Sequence, residues 1–124
     1  MAVVDFVLVC VLLLGLFLLV FQVGVFFHVR NVVAASAAEG ARYGAAADRN
    51  PTQGAARAQV VLRQALGSKV SRAITCSPGG AGGVVLVAGA RVVDIVCTGR
   101  LPIVFGPSPK LVLTVHGHAL EESR

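Results

Sequence analysis

The stretch Phe6–Phe27, with the sequence FVLVCVLLLGLFLLVFQVGVFF, decides how this chain is organised. It has no charged residue and one polar side chain, Gln22. About 20 consecutive apolar residues suffice for a helix to cross a hydrocarbon core of about 30 Å. Burial in a soluble core is the alternative, but a chain of 124 residues has little protein with which to surround so long a helix. We therefore predict an N-terminal segment with one membrane-spanning helix over residues 1–27, and a head domain over residues 28–124.

A cleaved secretory signal is a second alternative for this apolar stretch. Such signals have a positively charged start and an apolar region of roughly 7–15 residues. Here the first charged residue, Asp5, is negative, and the apolar run is longer. The small residues Ala35–Ala37 resemble a cleavage site, but they lie well beyond His28 and Arg30. The sequence therefore predicts that the helix is retained as a single-pass anchor.

The charge of the chain bears on its partners and on its orientation. Hydrophobic residues make up 56% of the sequence, and 11 Lys and Arg residues against 6 Asp and Glu residues give a net charge of +5. The basic residues stand singly, without a cluster interleaved with aromatics, so we predict no nucleic-acid partner. Taken literally, the positive-inside rule places the domain after the helix in the cytoplasm. A basic leader missing from the short segment before the helix would reverse that balance.

The cysteines argue for the opposite orientation. Cys76 and Cys97 are a candidate disulfide pair, and disulfides belong to oxidising compartments. Two unrelated buried thiols are the alternative, and the sequence leaves it open. Cys10 lies inside the apolar helix and is interpreted as a small packing residue.

The first helix is predicted to continue beyond the membrane over residues 28–47. This segment is dominated by alanine, the strongest helix former, and the first firm stop is Asn50 before Pro51. Gly40 and Gly44 are four residues apart and so lie on one face, where they permit close backbone approach. Such a smooth helix favours packing against copies of itself, although compositional bias also explains the alanines. On the same segment Glu39 and Arg42, three residues apart, are placed to meet.

A second helix is predicted over residues 52–66, with Asn50 as its cap, Pro51 in its first turn and Gly67 as its C-cap. Its predicted buried face comprises Ala55, Ala58, Val61, Leu62, Ala65 and Leu66. An antiparallel sheet follows over residues 70–119. Its predicted strands are Val70–Cys76, Val84–Val87, Arg91–Thr98 and Lys110–Ala119, with breaks at Leu101–Ile103 and Gly106–Pro109 and a frayed tail from Glu121. The expected fold class is therefore a membrane-anchored α+β chain.

Residues suited to catalysis are few. The aspartates Asp5, Asp48 and Asp94 stand apart from one another in the sequence. His116 and His118 face the same side of the last strand and are suitable metal ligands. Without another evident ligand, we interpret them as a solvated face and predict no metal site. The Gly79–Gly83 run lacks the Lys and Ser/Thr of a phosphate-binding loop. We predict no enzyme, no catalytic residue, no cofactor and no small-molecule substrate.

Two stretches of the sequence resemble a known family. Ala38–Ala45, AEGARYGA, looks like the hallmark segment of TadE-like proteins, which are pilin-like subunits of tight-adherence (Flp-type) pilus systems. Met1–Phe6 is similar to the start of that family's mature region, and Leu111–Glu122 looks like its closing strand and acidic tail. The similarity is specific at Glu39–Tyr43 and weak in the middle of the chain.

Asp5 has two interpretations. In the first, its carboxylate complements the positive end of the helix dipole and lies at the membrane interface. In the second, it is buried among neighbouring helices, where a charge needs a partner such as the α-amino group of an adjacent subunit. The resemblance places the family's acidic residue of the fifth mature position on Asp5, beside Phe6. Aspartate here replaces the commoner glutamate, which shortens the reach by one methylene.

The resemblance also implies how the protein is made. Family members carry a short basic leader ending in glycine, which a prepilin peptidase removes at the cytoplasmic face before assembly. In this sequence Met1 stands where the first mature residue would be. The remaining family positions fall in the segment after the membrane and are structural in character. As a helix-packing motif they comprise Glu39, Gly40, Arg42, Tyr43 and Gly44.

The leading hypothesis is a structural pilin-like subunit in the cytoplasmic membrane, with an extracytoplasmic head. Its expected partners are membrane lipid, other pilin-like subunits, the pilus assembly machinery and the prepilin peptidase. The alternative is a non-polymerising single-pass accessory protein that binds a partner through its small sheet.

Overall fold

The computed structural model describes residues 1–101 and 111–122. The predicted breaks over residues 102–103 and 106–109, the predicted first residue of the last strand, Lys110, and the last two residues of the tail lie outside these ranges. Leu101, which was predicted to belong to the first break, is instead the last residue of a strand. Two helices precede four strands, which form one antiparallel sheet. The elements are α1 (Ala2–Ala45), α2 (Pro51–Ser71), β1 (Ile74–Pro78), β2 (Val84–Val87), β3 (Ala90–Leu101) and β4 (Leu111–Leu120). The predicted α+β class, with a long first helix and a small antiparallel sheet, is confirmed.

α1 is one uninterrupted helix of 44 residues, about 66 Å long at about 1.5 Å per residue. Its N-terminal half is long and apolar enough to span a membrane, and none of its most apolar 18-residue window is buried. From Val29 onward the helix has a buried face, which continues to Ala45. The backbone turns extended at Ala46, so α1 ends two residues before the predicted end at Ala47. These features suggest that the first half anchors the chain in a membrane.

α2 begins with a capping box. The Asn50 side chain accepts a hydrogen bond from the Gln53 N–H at 2.9 Å, and the Gln53 side chain accepts one from the Asn50 N–H at 3.2 Å. Pro51 occupies the first turn, where its missing N–H costs nothing. The first N–H groups of a helix have no partner within the helix, and the capping box satisfies some of them here. A new helix therefore begins after a connection of only five residues, 46–50.

The end of α2 differs from the prediction. Gly67 has a positive φ of 77°, as a C-cap would, but a further helical turn follows and reaches Ser71. The Gln59 side chain holds this turn against α2, because its amide donates to the Ser71 and Ile74 carbonyls at 3.2 and 3.0 Å. The prediction of a strand from Val70 was therefore wrong, and β1 starts at Ile74. Ala65, predicted to be buried, is exposed.

β3 is the central strand of the sheet. β4 pairs with it over Val92–Leu101 on one edge, and β1 and β2 pair with successive parts of the other edge. Between β1 and β2 the chain bulges outward opposite Asp94, whose carbonyl accepts from the Gly79 N–H at 2.8 Å and whose N–H donates to the Gly83 carbonyl at 2.9 Å. The predicted glycine-rich loop is thus a large bulge in an edge strand.

The core of the head lies between α2, the second half of α1 and the sheet. Leu62, Ile74 and Ile95 are the largest fully buried apolar side chains in the described part of the chain. Gly117 of β4 lies directly against the backbone of Ala37 in α1, where a side chain would collide. The first two residues of the acidic tail are hydrogen-bonded to the rest of the chain: the Glu121 N–H donates to the Arg91 carbonyl and the Glu122 N–H to the Ala45 carbonyl, each at 2.9 Å. The prediction of fraying was therefore wrong for these two residues.

Candidate assembly surfaces

The first candidate surface is the apolar half of α1, residues 2–27. Its side chains are exposed almost throughout, and Phe6 is 69% exposed. Asp5 lies in the first turn, where its N–H donates to the Met1 carbonyl at 3.1 Å. Within residues 1–101 and 111–122, no ion pair or side-chain hydrogen bond involves the Asp5 carboxylate. The structure therefore leaves most of this surface, with its carboxylate, available to lipid or to other chains, while Phe26 near its end packs against the core of the head.

The second predicted surface, the glycine face of α1, is covered by α2. A Cβ built on Gly40 would lie 2.6 Å from the Ala58 Cβ and 2.6 Å from the Gly54 carbonyl oxygen. A Cβ on Gly44 would lie 3.1 Å from the Asn50 carbonyl oxygen. The close backbone approach expected of these glycines does occur, but within one chain. The expectation that this face packs against copies of the chain is corrected accordingly.

The polar members of the motif also contact α2 and the residues just before it. Glu39 lies 4.0 Å from the Arg57 guanidinium rather than on Arg42, which is exposed. The Tyr43 ring lies beneath two guanidinium groups, with the Arg49 Cζ 4.7 Å and the Arg57 Cζ 5.9 Å from its centroid. Such cation–π contacts contribute about 0.5–1 kcal/mol each at exposed sites. Glu39, Gly40, Tyr43 and Gly44 thus act together in docking α2 onto α1.

A narrow stripe of the α1 extension is left uncovered. His28, Asn31, Ala35 and Arg42 are exposed, and their spacing of three, four and seven residues keeps them on one side of the helix. This stripe continues the exposed surface of the apolar half. This stripe is therefore a candidate surface for contact between the extension and another chain.

Cys76 and Cys97 are bonded to each other in the structure. They are directly opposite in the register of β1 and β3, with their Cα atoms 4.0 Å apart. Cys97 is fully buried and Cys76 is partly buried, so the bond ties the edge strand to the central strand beneath α2. Cys10 is free and exposed on the apolar half of α1.

A cluster of polar side chains lies on the outer face of the sheet. The strand register places Asp94 opposite His118 and Val96 opposite His116. One carboxylate oxygen of Asp94, Oδ1, is 3.3 Å from His116 Nδ1 and 3.3 Å from His118 Nε2. Both histidines were predicted to share a face, but Asp94 was not predicted as their partner, because Asp94 and His116 are 22 positions apart and only the pairing of β3 with β4 brings them together. The sequence feature that could have drawn attention to Asp94 is its position as a charged residue within an otherwise apolar strand.

Comparison with known proteins finds a similarity in the N-terminal part of the chain. Residues 1–42 match the family model described as TadE-like protein. No curated protein and no solved structure matches the chain. The matched region contains the apolar half of α1, Asp5 and the motif as far as Arg42, in agreement with the resemblance seen in the sequence. The match covers 42 of the 124 residues, so the similarity to TadE-like proteins is a property of this N-terminal part of the chain.

Proposed function

From the match over residues 1–42, we propose that this chain is a structural pilin-like subunit of a tight-adherence pilus. The carrying observation is that the apolar half of α1 is exposed while the rest of the helix is packed within the head. In a bilayer this half contacts lipid. In a filament it packs against the corresponding helices of other subunits. The same surface thus contacts lipid before assembly and forms the core of the filament after assembly.

In this proposal Asp5 determines how neighbouring helices are aligned along their length. Its carboxylate has no partner among the described residues of its own chain. Removal from water makes an unpaired carboxylate costly, so assembly requires a cation beside it. The α-amino group of a neighbouring subunit supplies that cation, and Phe6 fills the apolar space next to the pair. Its pairing with a neighbour then fixes how far one helix is displaced along the next.

We further propose that the head is extracytoplasmic and has no enzymatic role. Disulfides form and persist in oxidising compartments, so the Cys76–Cys97 bond supports a head outside the cytoplasm. A basic leader, removed by a prepilin peptidase, would restore a cytoplasmic N-terminus under the positive-inside rule. The DNA upstream of the Met1 codon tests this directly. An in-frame basic leader ending in glycine is expected, and a stop codon immediately upstream would contradict the proposal.

The Asp5 proposal is tested by Asp5→Ala in the native host, with Asp48→Ala as the matched control. Asp48 is also acidic, but its side chain is 78% exposed beside Arg49, in the connection after α1. We expect both variants to enter the membrane normally and only Asp5→Ala to lose surface filaments. Membrane fractionation and electron microscopy measure the two properties separately. Wild-type piliation of Asp5→Ala would refute the pairing role.

The alternative, a non-polymerising accessory protein, is favoured by one observation. The glycine face of the extension and the inner face of the sheet are covered within the chain, which reduces the surface of the extension that is available for subunit contacts. An accessory protein would stay in the membrane fraction when filaments are sheared from cells. It would bind its partner through the outer face of the sheet.

A further inference from the structure

We propose that Asp94, His116 and His118 form a binding site for a divalent transition metal ion, with Zn²⁺ as the best-matched ion. Each residue offers one ligand atom, and these three atoms lie within 4.8 Å of one another. Imidazole nitrogen and carboxylate oxygen are common Zn²⁺ ligands, and three protein ligands leave a fourth position for water. The inference does not depend on the pilus proposal, since it concerns only the outer face of the head.

The distances between the ligand atoms fit a tetrahedral ion. Zn²⁺ bonds to nitrogen and oxygen are about 2.0–2.2 Å long, which separates two ligand atoms of a tetrahedron by about 3.3–3.5 Å. The Asp94 Oδ1 atom is 3.3 Å from His116 Nδ1 and 3.3 Å from His118 Nε2. Two of the three separations therefore already have the required value, and the third, between the two ring nitrogens, is at most 4.8 Å and shortens when the rings rotate.

The carboxylate is held firmly in its place. The Asp94 side chain is 7% exposed, and its backbone is hydrogen-bonded to Gly79 and Gly83 on either side of the bulge. Gly79 lies against the carboxylate so closely that a Cβ there would be 2.7 Å from the Asp94 Cγ. The bulge between β1 and β2 thus covers one side of the carboxylate and leaves it directed at the histidines.

The imidazoles are positioned by the strand and remain accessible. His116 and His118 alternate with Gly117 on β4, so both rings lie on the same face, 5.9 Å apart and within 7° of parallel. Their side chains are 50% and 54% exposed, which permits the small rotation and the entry of an ion. Oxygen-rich sites suit Mg²⁺ and Ca²⁺, whereas two imidazoles with one carboxylate favour Zn²⁺, Cu²⁺ or Ni²⁺.

A metal-free hydrogen-bonded cluster is the competing explanation for these contacts. Two ring nitrogens at 3.3 Å from one oxygen are long for hydrogen bonds, whose usual N···O distance is about 2.9–3.0 Å. An ion between the three atoms would replace these long contacts by three metal–ligand bonds. Binding would then join the central strand to the edge strand by one ligand from β3 and two from β4.

The test is Zn²⁺ titration of the full chain in detergent micelles, in a Cys10→Ser background that removes the free thiol. Calorimetry is expected to show one Zn²⁺ per chain, with a rise in the thermal unfolding midpoint that EDTA reverses. His116→Ala and His118→Ala are each expected to weaken binding at least about tenfold. His28→Ala, which removes an exposed histidine from α1, is the matched control and should bind as the parent does.

The outcomes separate a metal site from a polar cluster. Absence of saturable binding, or equal affinity in the parent, His116→Ala and His118→Ala, would overturn the proposal. Equal loss in His28→Ala would also overturn it, because it would show nonspecific binding. Since both β4 histidines are half exposed, their replacement by alanine leaves the core intact, and circular dichroism of each variant checks this independently of binding.

Discussion

Gly40, Gly44 and Gly54 bring the backbones of α1 and α2 closer together than side chains would allow. A Cβ on Gly54 would lie 3.0 Å from the Gly44 Cα, and one on Gly40 would lie 2.6 Å from the Gly54 carbonyl oxygen. Glycine is otherwise unfavourable inside a helix, by about 0.5–1 kcal/mol relative to alanine. Glycine at these positions therefore lowers the stability of each helix but permits close packing between the two helices.

Gly40→Ala is expected to destabilise the head by about 1–3 kcal/mol, since the added methyl group has no space between α1 and α2. Gly24→Ala is the matched control, because a Cβ at Gly24 meets nothing within 4 Å. The control is expected to be neutral or slightly stabilising. Urea unfolding of both variants in the same detergent measures the difference. Equal stability of the two variants would contradict the packing described here.

Ala88 is the one residue other than glycine with a positive φ, 51°, in the described part of the chain. It forms the two-residue turn between β2 and β3 together with Gly89, whose φ is 82°. This turn favours Asn or Gly at its first position, since a left-handed conformation costs other residues roughly 1–2 kcal/mol.

Ala88→Gly is expected to raise the free energy of unfolding by up to about 1 kcal/mol, because it relieves the left-handed strain. Ala90→Gly, two residues later in β3, is the control and is expected to lower it by about 0.5–1 kcal/mol. Thermal unfolding of the two variants compares them. A loss of stability in Ala88→Gly equal to that in Ala90→Gly would show that the turn is not strained.

At the scale of elements, the identity of each helix and strand followed from local signals. The long apolar run predicted the first half of α1, and Asn50 with Pro51 predicted the start of α2. The ends were less predictable, because the turn after Gly67 depends on hydrogen bonds from Gln59, far away in the sequence. The pairing of the strands also could not be predicted from local sequence. That pairing is what brings Asp94 to the β4 histidines.

Reduction of the Cys76–Cys97 bond is expected to lower the stability of the head by about 3 kcal/mol. The bond closes a loop between residues 21 positions apart, and the chain-entropy estimate for a loop near this length is about 3 kcal/mol. Cys97→Ser is expected to abolish the mobility shift that reduction causes on a denaturing gel, whereas Cys10→Ser is expected to preserve it. No shift in the parent protein would refute the bond.

At the scale of the whole molecule, one helix has two environments. One face of its second half is buried by α2 and the sheet of the same chain, and most side chains of its first half, residues 2–27, are exposed. Sequence reasoning identified the apolar half but assigned the glycine face to contacts between chains. Spacing on a helix shows which residues share a face. It does not show whether that face meets another part of the same chain.

The central claim, that the chain is a filament subunit, is tested most directly by looking for it in filaments. Filaments sheared from the native host are purified and examined by mass spectrometry and by immunogold labelling with an antibody against the head. We predict that the chain is present along the filaments, and that Asp5→Ala is found only in the membrane fraction. Filaments that form normally and contain none of the wild-type chain would contradict the account.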